Sequence, residues 1–298
     1  MKKMLIGCLL AAALLVTLGG AALAEEQITI GVLLSDTSNT FFVNMQNAIE
    51  AKAAELGVNT IVLDGANDAA KDVTNMEDLI AAEVDFVLYN PVDSDAAATV
   101  VEQATAAGIP VISIDRSVNG AEVVSHIASD NVYGGKLATQ YLIEQIGGSG
   151  AIAEIQGQAG ASAANERHQG FDEAVAEAGD AVTVVSSQIG DWDTTKALSI
   201  MENILLAYPE VKGVFCANDN MAIGAVQACQ QNGRADVVIV GFDAEQIALD
   251  AVAEGTMAAT IQQQPALMGE MGVENALKYL NGETIDANIG VPVALITE

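Results

Sequence analysis

The sequence predicts an α/β protein built from two doubly wound lobes. Short runs rich in Val, Ile and Leu alternate with segments of helical periodicity along nearly the whole chain, which is typical of a buried parallel sheet covered by helices. The alternation falls into two consecutive series, and no Pro/Ser-rich linker separates them. Two β/α series indicate two lobes, and the missing linker favours chain crossings within ordered structure, which suits hinge closure.

The first series begins with a strand at 28–34, followed by a helix that Asn39 or Thr40 can cap. Gly57 ends this helix, in which apolar residues recur at helical spacing at Phe42, Met45, Ile49, Ala53 and Leu56. The same reading predicts strands at 60–63, 86–89, 111–114 and 123–127, and helices at 69–82 and 93–107.

The second series opens with a helix at 133–146, which a glycine-rich segment at 147–150 terminates. Short apolar runs then predict strands at 151–155, 182–187, 211–216, 237–240, 257–262 and 291–296. Helical periodicity predicts helices between them at 163–178, 194–207, 221–231, 244–253 and 266–280.

The first 24 residues have the pattern of a secretory signal peptide. Lys2 and Lys3 precede an apolar stretch at 4–18, and a small-x-small site at 22–24 follows. The stretch is short for a membrane span. We therefore expect a mature chain of residues 25–298, secreted across the cytoplasmic membrane into the periplasm or the cell-surface space.

Charge and composition exclude several classes of partner and cofactor. The net charge of −29, which becomes −31 without Lys2 and Lys3, repels nucleic acid and anionic membranes. Cys216 and Cys229 are interpreted as small buried apolar residues, although secretion leaves a disulfide open. The two histidines are far apart in sequence, so neither a zinc site nor any other cofactor is expected.

Polar and aromatic residues follow several predicted strands, where parallel sheets bind ligands. Amide, carboxylate and guanidinium groups suit the hydroxyls of a sugar, and aromatic rings suit its C–H faces. Each residue alone also fits a structural role, such as a helix cap, a turn or a local ion pair. The candidates are the polar residues Asn39, Asp115, Arg116, Arg167, Asn218, Asp243 and Gln263 and the aromatic residues Phe41, Phe42 and Trp192.

Enzyme motifs are missing from the sequence. It has no G-x-S-x-G elbow, no P-loop and no G-x-G-x-x-G after the first strand. Carboxylates are plentiful, but nothing nominates a glycosidase pair. We therefore expect a binding protein rather than an enzyme, with a secreted carbohydrate-active enzyme and a repressor core as the competing classes. A repressor would need a helix-turn-helix and a basic surface, which the export signal and the acidic charge oppose.

Several motifs resemble those of the type I periplasmic sugar-binding proteins, most closely the ribose-binding proteins of ABC importers. The similarity extends from about residue 29 to about residue 296 and includes Asn39-x-Phe41-Phe42, Asn90-Pro91, Ile114-Asp115-Arg116, 125–131, 162–167, Asn218-Asp219 and 241–243. The resemblance implies that the candidate residues hold a monosaccharide, with Asn90 and Ser129 lining or supporting the site. It also implies delivery to the membrane permease of an ABC importer and, in some members, signalling to a chemoreceptor. A monomer is expected.

The resemblance further implies a hinge of three chain crossings. The expected N-terminal lobe comprises 25–129 and 264–291, and the expected C-terminal lobe comprises 130–263 and 292–298. The chain departs from the family pattern at Thr40, which replaces a proline, and at Asn165, which replaces an arginine. Trp192 replaces a phenylalanine, and Gln158 replaces an isoleucine at the ligand site. Ribose is the first choice of ligand, and another pentose, a hexose or a furanose-like signalling molecule is the alternative.

Overall fold

The computed structural model describes residues 27–297, and the predicted signal peptide at 1–24 lies outside them. Two six-stranded sheets organise this part of the chain, which confirms the predicted pair of α/β lobes. In the described residues, no helix is both long and apolar enough to cross a bilayer.

The first sheet defines the N-lobe and has the strand order β11-β5-β4-β3-β1-β2. All of its strand pairs are parallel. Its strands are β1 (Thr29–Leu34), β2 (Asn59–Asp64), β3 (Phe86–Tyr89), β4 (Val111–Ile114), β5 (Ser125–Ser129) and β11 (Asn288–Val291). The accompanying helices are α1 (Thr40–Glu55), α2 (Ala69–Ala81), α3 (Ala97–Ala106) and α9 (Pro265–Leu280).

The second sheet defines the C-lobe and has the strand order β12-β10-β9-β8-β6-β7. Only the pair between β10 and the short β12 is antiparallel among these described strands. The strands are β6 (Gly150–Gln156), β7 (Val182–Ile189), β8 (Val211–Cys216), β9 (Val238–Asp243), β10 (Ala259–Gln262) and β12 (Ala294–Ile296). The helices are α4 (Asn131–Gln145), α5 (Ser162–Ala178), α6 (Thr194–Ala207), α7 (Asp219–Gln231) and α8 (Gln246–Ala253), with a 3-10 turn at Gly179–Ala181.

Each sheet buries both of its faces. In β1, Ile30 and Val32 pack in a cluster with residues of α1 and α9, whereas Leu33 packs in a second cluster with residues of α2 and α3. Successive side chains of a strand point to opposite faces, so an apolar run is required wherever helices cover both. This requirement explains why the strands appear in the sequence as nearly continuous apolar runs.

The chain passes between the two sheets at three places. It leaves β5 for α4 after Ser129, leaves β10 for α9 after Gln262, and leaves β11 for β12 after Val291. The Gln264 side chain donates a hydrogen bond of 3.0 Å to the carbonyl of Pro292, which ties two of these crossings together. The prediction of a single strand at 291–296 is wrong, because Pro292 and Val293 separate two strands that belong to different sheets.

Candidate functional site

A small cavity lies where the carboxyl ends of the strands of both sheets face each other. Residues of both lobes line it, namely Asn39, Phe41, Phe42, Asp115, Arg116, Ala163, Arg167, Trp192, Asn218, Asp243 and Gln263. Ten of these are the polar and aromatic candidates from the strand ends, and the structure therefore brings those candidates together around one space.

Asp115 and Arg116 follow β4 in the N-lobe. Asp115 is buried and has a left-handed backbone with φ 63°, which is uncommon for a non-glycine residue and typical of functional sites. The Nη1 atom of Arg116 donates to the carbonyls of Pro91 at 3.1 Å and Val92 at 3.3 Å. Its Nε atom is buried without a hydrogen-bond partner among the described residues, so this N–H group is available to a ligand.

Asn90 lies outside the cavity lining and positions Asp115. Its Nδ2 atom donates to an Asp115 carboxylate oxygen and to the carbonyl of Ile114, both at 3.0 Å. Its Oδ1 atom accepts from the backbone N–H of Ser35 at 3.2 Å. Asn90 is completely buried, and both the NH₂ group and the oxygen of its amide are used by two neighbouring segments of the N-lobe.

Arg167, on α5, connects several elements of the C-lobe. Its Nε atom donates to Asn131 at 2.9 Å and its Nη1 atom donates to the carbonyl of Ala217 at 2.7 Å. Nη1 also lies 3.6 Å from a carboxylate oxygen of Asp243. The guanidinium stacks over the Phe242 ring at 3.8 Å from its centroid. These contacts hold the side chain in one orientation against the cavity.

Asn39 and Asn218 are helix caps as well as lining residues. The Asn39 side-chain oxygen accepts from the N–H of Phe41 at the start of α1, at 2.9 Å. The Asn218 oxygen accepts from the N–H of Met221 at the start of α7, at 3.0 Å. Since the oxygen of each amide is used by the helix, the NH₂ group is the part of each side chain that can donate to a ligand.

The aromatic residues enclose the cavity from both lobes. Phe41 and Phe42 meet edge to face at the start of α1, and the Arg116 guanidinium lies 5.4 Å from the Phe42 ring centroid. Trp192, in the loop before α6, has a left-handed backbone with φ 62°. Its ring covers Gly157 so closely that a Cβ atom there would overlap it. Its indole Nε1 atom is buried without a partner among the described residues.

Ser129 and Gln158, the other two sequence candidates, do not line the cavity. Ser129 is buried at the end of β5, and its hydroxyl has no hydrogen-bond partner among the described residues. Gln158 is half-buried in the loop after β6, and its side-chain oxygen also lacks a partner there. Their contact with a ligand remains a prediction.

Sequence reasoning missed three contributors to the site. Ala163 lines the cavity, but an alanine carries no chemical signal. Asn131 holds Arg167. Asp72, on α2, accepts hydrogen bonds of 2.9 Å from the Tyr89 hydroxyl and the Val92 N–H, and thereby fixes the loop whose carbonyls hold Arg116. Burial raises the pKa of Asp72 to about 6.

The formal charges around the cavity balance. Two carboxyls, Asp115 and Asp243, face two guanidinium groups, Arg116 and Arg167. Burial raises the pKa of Asp115, an effect that both arginines oppose. Burial, with the negative charges of Glu245 and Asp115, raises the pKa of Asp243 to about 7, against the effects of Arg167 and of the hydrogen bond from Gln263. Balanced charges with several donors and acceptors suit a neutral, hydroxylated ligand better than an ion. The described residues contain no group of three metal-ligating side chains.

The pKa of Asp243 predicts a pH dependence of stability. Because its pKa rises from 3.8 to about 7 on folding, the folded protein holds a proton that the unfolded chain releases between these values. This contribution to stability is present at acidic pH and is lost as the pH rises through about 7. We expect the free energy of unfolding of the sugar-free protein, measured with denaturant, to fall as the pH rises from about 4 to about 7, and to fall less in Asp243→Asn. Parallel curves for the two proteins would contradict this assignment.

Comparisons with known proteins agree with this architecture. The family model of the periplasmic binding protein domain matches residues 30–284. The chain is 44% identical over 286 residues to the ribose import binding protein of Salmonella typhimurium, which covers 96% of this chain and 95% of that protein. It is 39% identical over 274 residues to the ribose import binding protein of Bacillus subtilis, with coverage of 92% and 88%.

A solved structure shows the same fold. The periplasmic solute-binding protein of an ABC transporter from Actinobacillus succinogenes, with bound D-allose, superimposes with a TM-score of 0.86 at 32% identity. The match covers 91% of this chain and 98% of that protein. Together with the family match over most of the sequence, this likeness shows that the chain belongs to the periplasmic binding protein family.

Proposed function

We propose that this protein is the extracytoplasmic substrate-binding component of an ABC sugar importer and that it binds a monosaccharide, with D-ribose as the first choice. The observation that carries this proposal is the cavity between the lobes, whose unpartnered polar atoms require a ligand of particular chemistry. Arg116 Nε and Trp192 Nε1 are buried donors, and Gln263 Oε1 is a buried acceptor. A hydroxylated ring would satisfy all three, because each hydroxyl both donates and accepts.

The proposed mechanism is ligand-stabilised closure. The lining residues come from both lobes, so a sugar makes its full set of contacts only when the lobes are together. Its binding energy then shifts the population towards the closed form. The family binds and delivers substrates and is not a family of enzymes, and nothing in the proposed mechanism breaks a covalent bond.

The partner and the location follow from this role. The closed form would present its sugar to the membrane permease of the importer, from the periplasm or the cell-surface space, and it would act as a monomer that in some cells also engages a chemoreceptor. We propose that the lobes divide at 129/130, 263/264 and 291/292. The ten lining candidates, together with Ser129 and Gln158, are the proposed ligand-binding residues, and Asn90 supports the site by holding Asp115.

A hexose or another pentose is the second candidate ligand. Trp192 and Gln158 are larger or more polar than the phenylalanine and isoleucine that the resemblance implies at these positions, and a similar protein is known with bound D-allose. Trp192 and Gln158 would then make the pocket fit a hexose or another pentose better than it fits D-ribose.

The test uses the single tryptophan of the chain, which lines the cavity. We expect a saturable change in Trp192 fluorescence when purified protein is titrated with D-ribose, confirmed by calorimetry. Parallel titrations with D-allose, D-arabinose and D-glucose rank the alternatives. Saturation with another sugar but not with ribose would replace the ligand and keep the mechanism. Heat-silent titrations with all of these sugars would contradict the proposed function.

A further inference from the structure

Two sets of loop residues meet across the cleft without lining the cavity. Asp93, Ser94 and Ser117 belong to the N-lobe loops after β3 and β4, and residues 160–162 of the C-lobe comprise the end of the loop before α5 and the first residue of that helix. We propose that these residues, here named the latch, hold the lobes closed independently of the sugar and thereby set its affinity and residence time. This inference rests on the proposed function for its effect on sugar binding, but not for its effect on closure.

Three hydrogen bonds join the two sides of the latch. The Ser94 N–H donates to the carbonyl of Gly160 at 2.9 Å. The Ser162 N–H donates to the Ser94 hydroxyl oxygen at 3.2 Å, and the Ser117 N–H donates to the Ser162 hydroxyl oxygen at 2.8 Å. Each bond links a backbone group of one lobe to the other lobe, and none uses an atom of a cavity-lining residue.

The C-lobe part of the latch is remote from the hinge. The chain crosses between lobes next to β5 and β11 at one edge of the first sheet, and next to β10 and β12 at one edge of the second. The C-lobe part of the latch follows β6, which β8 and β9 separate from the hinge strands. At about 5 Å per strand, β6 is about 15 Å from β10, whereas the N-lobe part of the latch follows β3 and β4, of which β4 is next to the hinge strand β5. Opening at the hinge therefore moves the C-lobe part of the latch away from the N-lobe loops, which breaks these hydrogen bonds.

The groups that form these hydrogen bonds are buried only when the lobes are closed. Ser94 is 1% exposed and Ser162 is 7% exposed in the closed arrangement. When the lobes separate, the same N–H and hydroxyl groups return to water and are satisfied there. Removing one acceptor therefore leaves a buried N–H unpaired in the closed form only, so the penalty falls on closure and not on the folding of either lobe.

Gly160 provides a second, independent observation. Its φ is +87°, and a Cβ atom on it would overlap the carboxylate of Asp93 in the other lobe. That carboxylate is held in place, because its Oδ1 atom accepts from the N–H of Asp95 at 2.9 Å and of Ala96 at 2.8 Å. The lobes can approach to hydrogen-bonding distance here only because residue 160 has no side chain.

The first experiment removes single latch hydrogen bonds. We expect Ser94→Ala and Ser162→Ala each to raise the rate of D-ribose release, followed by stopped-flow fluorescence of Trp192, by about tenfold. Ser125→Ala is the matched control, since the hydroxyl of this buried serine donates to the carbonyl of Asp286 within one lobe at 2.8 Å. An unchanged release rate in both latch variants, or an equal change in the control, would overturn the proposal.

The second experiment adds one methyl group to the interface. Gly160→Ala is compared with Gly108→Ala, because Gly108 has a similar φ of +80° but no atom within 4 Å of its added Cβ. Both variants carry the same backbone strain, and only the first places an atom against the other lobe. We expect Gly160→Ala, but not Gly108→Ala, to weaken D-ribose binding by about tenfold or more. Equal affinities for the two variants would contradict the latch.

A measurement without sugar separates this proposal from the proposed function. Small-angle X-ray scattering of the sugar-free proteins should give a larger radius of gyration for Ser94→Ala and Gly160→Ala than for the wild type and the two controls. The same radius in all five proteins would overturn the latch even if sugar binds. If no sugar binds but the radii differ as expected, the proposed ligand fails and the latch is supported. If the release rate rises and the radii differ, both are supported.

Discussion

Asp115→Asn should weaken sugar binding by about 2 kcal/mol or more, or about thirtyfold in the dissociation constant. Asparagine tolerates the left-handed backbone of this position, so the substitution removes charge without adding strain. The carboxylate accepts from Asn90 at 3.0 Å and lies 3.8 Å from Arg116 Nε. Without it, the buried guanidinium loses its nearest countercharge, and the ligand loses a group that only accepts hydrogen bonds.

The measurement is calorimetric titration with D-ribose at neutral pH. Asp78→Asn is the matched control, because Asp78 is an exposed residue of α2 in the same lobe. We expect the control to bind like the wild type. Wild-type affinity in Asp115→Asn would show that the carboxylate makes no net contribution and that the ligand lies elsewhere.

Arg167→Lys should have the larger effect, a loss of about 3 kcal/mol in binding free energy. The guanidinium has directional contacts with Asn131, the carbonyl of Ala217 and Asp243. An ammonium group keeps the charge but cannot reproduce this planar set of donors or the stacking on Phe242. The lysine would leave buried acceptors unpaired on the C-lobe side of the cavity, where the pKa of Asp243 is already raised.

Arg234→Lys tests whether any arginine with several hydrogen bonds in this lobe gives the same result. Arg234 donates to the carbonyls of Pro209 and Val211 and pairs with Asp236, all within the C-lobe and away from the cavity. We expect it to lower thermal stability slightly and to leave the dissociation constant unchanged. If both lysine variants lost affinity equally, or if Arg167→Lys kept it, a direct role for Arg167 at the site would be wrong.

The buried strands could be predicted because each is marked by a short apolar run in the sequence. Strands β3 and β4 occupy 86–89 and 111–114, as predicted, since helices on both faces favour apolar residues along the whole strand. The prediction for β5 was 123–127, but the strand runs from Ser125 to Ser129. Its pairing with β4 and β11 decides these ends, and the apolar pair Val123-Val124 was misleading.

The exact starts of two helices were also decided by contacts and not by the local pattern. The prediction for α4 began at residue 133, but the helix begins at Asn131 because the Asp130 side chain accepts from the Tyr133 N–H. The helix predicted at 93–107 begins at Ala97, because Asp93 instead accepts from the N–H groups of Asp95 and Ala96 in a turn. Such turns help to form the latch, and nothing in the local sequence distinguishes them from a helix start.

Short segments of the chain were enough to predict the two-lobed α/β class and the set of polar and aromatic residues at the strand ends, because periodicity and side-chain chemistry are local properties. The packing of distant segments was needed to show which of these residues line the cavity, which of their atoms remain unpaired, and which residues support them from behind. Asn90 and Asn218 both carry amide side chains at strand ends. The amide of Asn90 makes its hydrogen bonds within the N-lobe, whereas Asn218 lines the cavity. That difference depends on distances between residues far apart in the chain, which packing sets and no local pattern encodes.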